Sequence, residues 1–319
     1  MSNLERSPSM IVRGGTADTP GAPVREVLAG KEVLLGGSTV VRRLLPTLGR
    51  RLVGAWCFVD HYGPEDIAHA PGMQVPPHPH IGLQTVSWLL EGAIHHRDSV
   101  GSDAVLAPGE LGLMTAGAAV AHSEYSPPVH PSTLHGAQLW VALPDSARHI
   151  AAAFEHHTDL PTLTAPGMRA TVLLGGLAGA RSPGTIHTPL VGADLALDAD
   201  ADTTVPLEPD FEYAVLVPVG SATVDEVPVS AGNLLYLGTG RTELRIQAGP
   251  ASRLLLLGGE PFAERLVMWW NFVARTGEEI ASARADWADG RSFGSVPGAP
   301  PLAAPALPPT PLLARGRIR

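Results

Sequence analysis

Two residue pairs carry the chemistry legible in this chain. His78 and His80 stand two apart in VPPHPHIG, and His122 and Glu124 stand two apart in AVAHSEY. In a strand, residues i and i+2 point to the same face, about 7 Å apart along it. Each pair can therefore hold one ion from one side. If the second strand lies across from the first, three imidazoles and a carboxylate converge. Neutral imidazole with carboxylate is a hard-to-borderline donor set that suits divalent first-row metals such as iron. Thirteen histidines in 319 residues will produce a lone His-x-His pair by chance; two same-face pairs in apolar, strand-like runs are harder to dismiss. Pro76, Pro77 and Pro79 stiffen the approach and favour extended backbone. Imidazole ligands must be neutral, so metal occupancy is expected to fall as pH drops from about 6.5 towards 5.

The surrounding residues resemble a known family. Gly72, His78-Pro-His80 and the later Glu91-Gly92 turn are similar to the first motif of the cupins, which are small antiparallel β-barrels. PHPHIGLQTV (77–86), LLEGAIHHRDSVGS (89–102), PGELGLMTAG (108–117) and AHSE (121–124) narrow the resemblance to the pirin family. Asp60-His61-Tyr62-Gly63-Pro64, Gln138-Leu139-Trp140-Val141 and Met268-Trp269-Trp270-Asn271-Phe272-Val273 extend it. The match is dense over 55–145 and looser elsewhere. It implies that His78, His80, His122 and Glu124 are ligands of a single Fe(II) ion, other divalent transition metals being possible. It also implies flavonol (quercetin) 2,3-dioxygenase activity, with Glu124 as the base that takes the flavonol 3-hydroxyl proton. The alternative it implies is a redox-sensitive regulator that docks on a protein partner. Two positions depart from the pattern. Gln84 stands where cupins usually carry Glu, removing a possible charge near the metal, and Gly117-Ala118-Ala119 replaces a glycine pair.

Other polar residues have plainer readings. His96 and Asp98 share a face by spacing, but the resemblance gives them no ligand role, and they read as barrel-edge polar residues. His61, in an apparent turn, is either structural or a partner of the metal site. His156-His157 are adjacent, so in a strand they face opposite ways and cannot chelate. Cys57, between Trp56 and Phe58, reads as a small buried apolar residue.

The elements that must position the pairs are short strands. The 35 glycines and 31 prolines suit many turns. Ala55–Val59, Thr85–Leu90, Ile94–Ser99, Leu111–Thr115 and Leu134–Leu143 read as strands of a first barrel. ATVLLGG, TPLVGADLAL, FEYAVLVPVG, ATVDEVPV, NLLYLG and RLLLLGG read as a second, whose only histidine is His187, so it cannot build a second site of this kind. With the resemblance, the fold class is all-β: two antiparallel cupin β-barrels (a bicupin) with a C-terminal helix and an extended tail. The expected organisation is a loose arm (1–24), a metal-bearing domain (25–148), a linker (149–168), a metal-free domain with helix (169–285) and a Pro/Ala-rich tail (286–319). Leu266, Trp269, Trp270 and Val273 recur at helical spacing and predict a helix over 262–280. Parts of the tail are expected to lie against the first barrel.

Composition excludes several classes. Net charge is −9, and Lys31 is the only lysine, so there is no basic stripe to neutralise phosphates and no direct nucleic-acid binding is expected. A single cysteine permits no intrachain disulfide and fits a reducing compartment. With no apolar run near 18 residues and no signal layout in MSNLERSPSM, the expectation is a cytoplasmic protein without membrane contact.

Overall fold

Burial along the strands separates two kinds of sheet. In the computed structural model, which describes residues 24–35 and 39–316, Glu243–Ala248 and Ile94–Asp98 bury alternate residues. Leu83–Glu91 and Glu212–Val219 instead bury seven residues in a row. Alternation marks a strand with one face on the core; an unbroken apolar run marks one covered on both faces.

Each half of the chain pairs one sheet of each kind. In the first, a seven-stranded sheet runs in the order Ala153–His157, Leu111–Thr115, Leu83–Glu91, Thr133–Ala142, Trp56–Asp66, Thr39–Leu45, Lys31–Leu35. It packs on a four-stranded sheet of Gln74–His80, Val120–Tyr125, Ile94–Asp98 and Asp103–Leu106. Tyr62, Leu89 and Leu134 from the large sheet meet Val75, Ile94 and Leu106 from the small one in a single core. The second half repeats this with an eight-stranded and a four-stranded sheet, which share Leu195, Val215, Val224 and Leu244. Ladders in both halves are antiparallel. The expected two barrels are therefore present as two-sheet jelly rolls, whose sheets remain separate ladders.

The large sheets stack back to back, which is why their strands are apolar on both faces. Trp56 is fully buried between them and its Nε1–H donates to Val191 O (3.2 Å) and Gly258 O (3.1 Å) of the second half. Gly192 makes room: a Cβ there would lie 2.9 Å from the indole. Removing such a side chain costs roughly 3–5 kcal/mol. Pairings also cross the partition read from the sequence. Glu26–Ala29 joins Asn233–Gly238 of the second half. Residues 149–168, read as a linker, contain Ala153–His157 on the first large sheet and Thr162–Ala165 on the second. The arm predicted at 1–24 lies outside the described residues except for Val24.

The helix expected over 262–280 is not there. Val267–Trp269 and Phe272–Ala274 form an antiparallel ribbon, turning at Trp270, whose φ of 54° is incompatible with a right-handed helix. Five of those six strand residues and Trp270 are buried, so the three-and-four spacing reflected a short run covered on both faces. The helix is Gly277–Ala288, and its start was legible: Thr276 caps it by accepting from Glu279 N (3.2 Å), in a Thr-x-x-Glu arrangement. Part of the tail lies against the first half, as expected, and its end at Arg315 pairs with Leu266. Leu302 N donates to Pro77 O (2.8 Å), and Trp287 Nε1 to Leu302 O (2.7 Å).

Candidate metal centre

Register brings the two histidine segments together. Gln74–His80 and Val120–Tyr125 are neighbours, with His122 opposite His78 and Val120 opposite His80. The imidazole centroids lie 5.1 Å (His78–His80), 4.3 Å (His78–His122) and 5.0 Å (His80–His122) apart. One nitrogen from each lies within 4.8 Å of the others, and all three side chains are buried. Among the described residues this is the one group of His, Cys, Asp and Glu side chains so arranged. Glu124 is not in that cluster. A register shift separates it from His122, and its Oε1 accepts from Ser87 Oγ (3.2 Å).

The ring nitrogens are sorted by their neighbours. His78 Nδ1 lies 2.8 Å from Pro76 O and His80 Nδ1 lies 3.0 Å from Asn271 O. A carbonyl only accepts, so each Nδ1 carries the proton and each Nε2 keeps its lone pair. His122 is sorted by a relay. Asp98 Oδ2 is 3.0 Å from His96 Nε2, and Asp98 Oδ1 accepts from Val100 N (3.0 Å) and Ser102 N (2.9 Å). Burial pushes the Asp98 carboxyl up, but the bonds from His96 and Ser102 outweigh it and hold the pKa below the usual value. His96 therefore protonates Nε2, turns a bare Nδ1 to His122 Nδ1 at 3.4 Å, and leaves His122 Nε2 deprotonated. His122 Nε2 is buried with no hydrogen-bond partner. Burying an unpaired polar nitrogen is costly. A metal ion, held by Nε2 of all three rings, would use this donor set.

Burial also keeps the rings neutral. It pushes His78 down to about 4, and lowers His80 and His122 well below 6.5, with repulsion from neighbouring imidazoles adding to it in both. The acid window expected from unperturbed histidines therefore moves. With a competing chelator, occupancy should hold through pH 5.5 and collapse as pH approaches 4. Loss already at pH 6 would show that these rings are not the ligands. Without metal the sign for stability is the same. Unfolded histidines take protons from about 6.5 downwards, whereas folded His78 takes one only near 4 and folded His80 and His122 are likewise lowered well below 6.5. Stability present above 6.5 is thus lost as pH falls between those values, by roughly 3 kcal/mol for a ring moved that far.

Several positions differ from their expected places. His96 and Asp98 are buried rather than at a barrel edge, with His96 stacked on Phe154 at 4.0 Å. The alternation of Ile94, His96 and Asp98 turns all three inward. His61 lies in a strand, not a turn, and faces away from the site; its Nε2 meets His135 Nε2 at 2.9 Å. Gln84 Nε2 donates to Thr115 Oγ1 (2.9 Å) and Thr185 O (3.0 Å). It belongs to the face of Val86 and Trp88, so its exchange for Glu takes no charge from the metal side. Cys57 is fully buried, and burial pushes its thiol pKa far up.

Three contributors were not singled out for the site from the sequence. Ser87 Oγ lies 2.9 Å from Gln138 Oε1 as well as near Glu124. A hydroxyl has one proton, so a continuous chain requires Gln138 to present its NH2 to Ser87, which also satisfies its otherwise unpartnered Nε2. The alternation Thr85, Ser87 could have shown the first of these. Nothing local marks Asn271, whose carbonyl fixes His80 from the ribbon of the second half.

A jelly-roll pair with one buried three-histidine cluster, in the first half alone, defines a bicupin. The family profile Pirin matches residues 38–141, which contain the site, and the profile Pirin C-terminal cupin domain matches 192–294. The chain belongs to the pirin family. It is 45% identical over 86% of its length to "Putative quercetin 2,3-dioxygenase PA1205" of Pseudomonas aeruginosa, covering 88% of that protein. It is 38% identical over 80% of its length to a pirin-like protein of Caulobacter vibrioides, covering 90% of it. The crystal structure of quercetin 2,3-dioxygenase from Acinetobacter baumannii superposes with a TM-score of 0.88 at 41% identity, covering 91% of this chain and 97% of that one.

Proposed function

We propose that this chain is a non-haem Fe(II) oxygenase acting on flavonols, with His78, His80 and His122 holding one ion and Glu124 completing the set. The observation that carries the reading is the convergence of three buried imidazoles, one nitrogen of each within 4.8 Å of the others, with His122 Nε2 lacking any hydrogen-bond partner. The names of two similar proteins, from Pseudomonas and Acinetobacter, support the substrate class. A first-row ion held this way supplies Lewis acidity and open coordination positions for substrate and dioxygen. The protein residues supply the proton chemistry. Glu124 is buried beside Ser87, and its carboxylate accepts the flavonol 3-hydroxyl proton, leaving an enolate. Ser87, donating to Oε1, fixes the carboxylate orientation, and Gln138 fixes Ser87.

The test is oxygen uptake by iron-loaded protein with quercetin, measured beside elemental analysis. About one metal per chain and quercetin-dependent uptake are expected, both lost in His122→Ala. A ratio near two would overturn the single site. One metal per chain with no uptake on any flavonol would sink the oxygenase reading and favour a redox-sensitive docking role.

A further inference from the structure

Between the two halves lies a cavity of about 560 Å³ that none of His78, His80, His122 or Glu124 lines. We propose that it is a second binding site, for an aromatic anion such as an aryl carboxylate or phenolate. Its size falls within the range of small-molecule sites, roughly 300–1,000 Å³, and like them it combines apolar walls with a few polar groups. Phe58 and Trp140 line it and stack on each other at 4.0 Å, while Leu28, Met268 and Trp269 supply further apolar surface. Flat rings suit such walls.

The sign of the ligand follows from the polar groups. Lys31, Arg43, Arg51 and Arg315 line the cavity against one acid, Glu26, in a chain of net charge −9. Glu26 is already paired with Arg50 at 3.3 Å. Arg43 is held by Asp60 through two bonds of 2.9 and 3.0 Å and covers Phe58 at 4.6 Å, so it helps to build the wall. That leaves Lys31 and Arg315, neither of which forms an ion pair among the described residues. Arg315 Nη2 is buried with no partner, and so is Trp140 Nε1. Both atoms are closed off from solvent, so the sign is set by the two cations lining the cavity, beside which an occupant that brings negative acceptor oxygens is favoured. Arg315 is itself well placed. Its backbone exchanges two 2.8 Å hydrogen bonds with Leu266, and Gly316 O accepts from Arg51 Nη1 (3.2 Å).

Trp140 connects this site to the metal centre without merging them. Its ring, part of the cavity lining, also lies edge-on to His80 at 5.2 Å. An occupant should therefore alter indole fluorescence without ligating the metal.

The probe is 2-naphthoate against its neutral isostere 2-naphthalenemethanol, by calorimetry and tryptophan fluorescence on the full chain. Saturable one-to-one binding is expected, with the carboxylate favoured at least about tenfold, as a charge-assisted hydrogen bond would give. Arg315→Met and Lys31→Met should each reduce that preference, and His78→Ala should leave it intact. Equal affinities, absence of saturable binding by naphthoate, or loss of binding in His78→Ala would each overturn the proposal. None of these outcomes depends on oxygenase activity.

Discussion

Asp98→Asn is expected to weaken metal binding about 10- to 100-fold although Asp98 is not a proposed ligand. The effect comes from tautomers. Asp98 Oδ1 is held by the amides of Val100 and Ser102, and Oδ2 faces His96 Nε2. An asparagine keeps its single oxygen on the two amides and must then present its NH2 to His96. His96 Nε2 becomes an acceptor, its proton moves to Nδ1, and His122 Nδ1 has to accept in turn. His122 then carries its proton on Nε2, where the lone pair was needed. Stacking on Phe154 at 4.0 Å keeps the His96 ring from turning to escape this. Chelator competition at pH 7.5 measures the affinity, and a cobalt(II)-loaded sample reports ligand geometry through its visible spectrum. Unchanged affinity and spectrum would mean that His122 is oriented without Asp98.

That relay also shows where sequence reading stops. The spacing put His78 with His80, and His122 with Glu124, on one face of each strand, because alternation is a backbone property. That the two strands are neighbours was a condition that spacing alone did not meet, and a register shift separates His122 from Glu124. The same rule put His96 and Asp98 on one face. Which face was inward depended on a non-local pairing, Val120–Tyr125 lying between Gln74–His80 and Ile94–Asp98. Spacing cannot supply that. Gln84 was misplaced for the same reason: a strand covered on both faces gives no alternation to say which side is the site. The Trp269-Trp270 segment failed differently. Apolar residues buried on both sides of a short ribbon mimic a helical stripe, while the Thr-x-x-Glu pattern of Thr276 and Glu279, which caps the true helix, is a signal the apolar spacing did not include. Asn271 was beyond reach altogether, since its carbonyl meets His80 from 191 residues away.

Glu124→Gln should separate metal holding from proton transfer. The amide keeps the carboxylate's shape and an oxygen for Ser87, so the local fold should persist. As a lost ligand it should weaken the metal, which excess iron can restore; as a lost base it should stop flavonol oxidation even at equal loading, because an amide cannot take the hydroxyl proton. General-base catalysis contributes roughly 10²–10⁴-fold, so at full occupancy the rate should fall by at least the lower figure. Among the described residues, no neighbouring carboxylate stands ready to substitute. Asp98 is committed to His96 and two amides, Asp60 to Arg43, and position 84 carries an amide directed at Thr115 and Thr185. The measurement is oxygen uptake with quercetin in parent and variant, each checked for iron content after the assay. A fully loaded variant that keeps the parent's rate would remove Glu124 as the base and leave it, at most, a ligand.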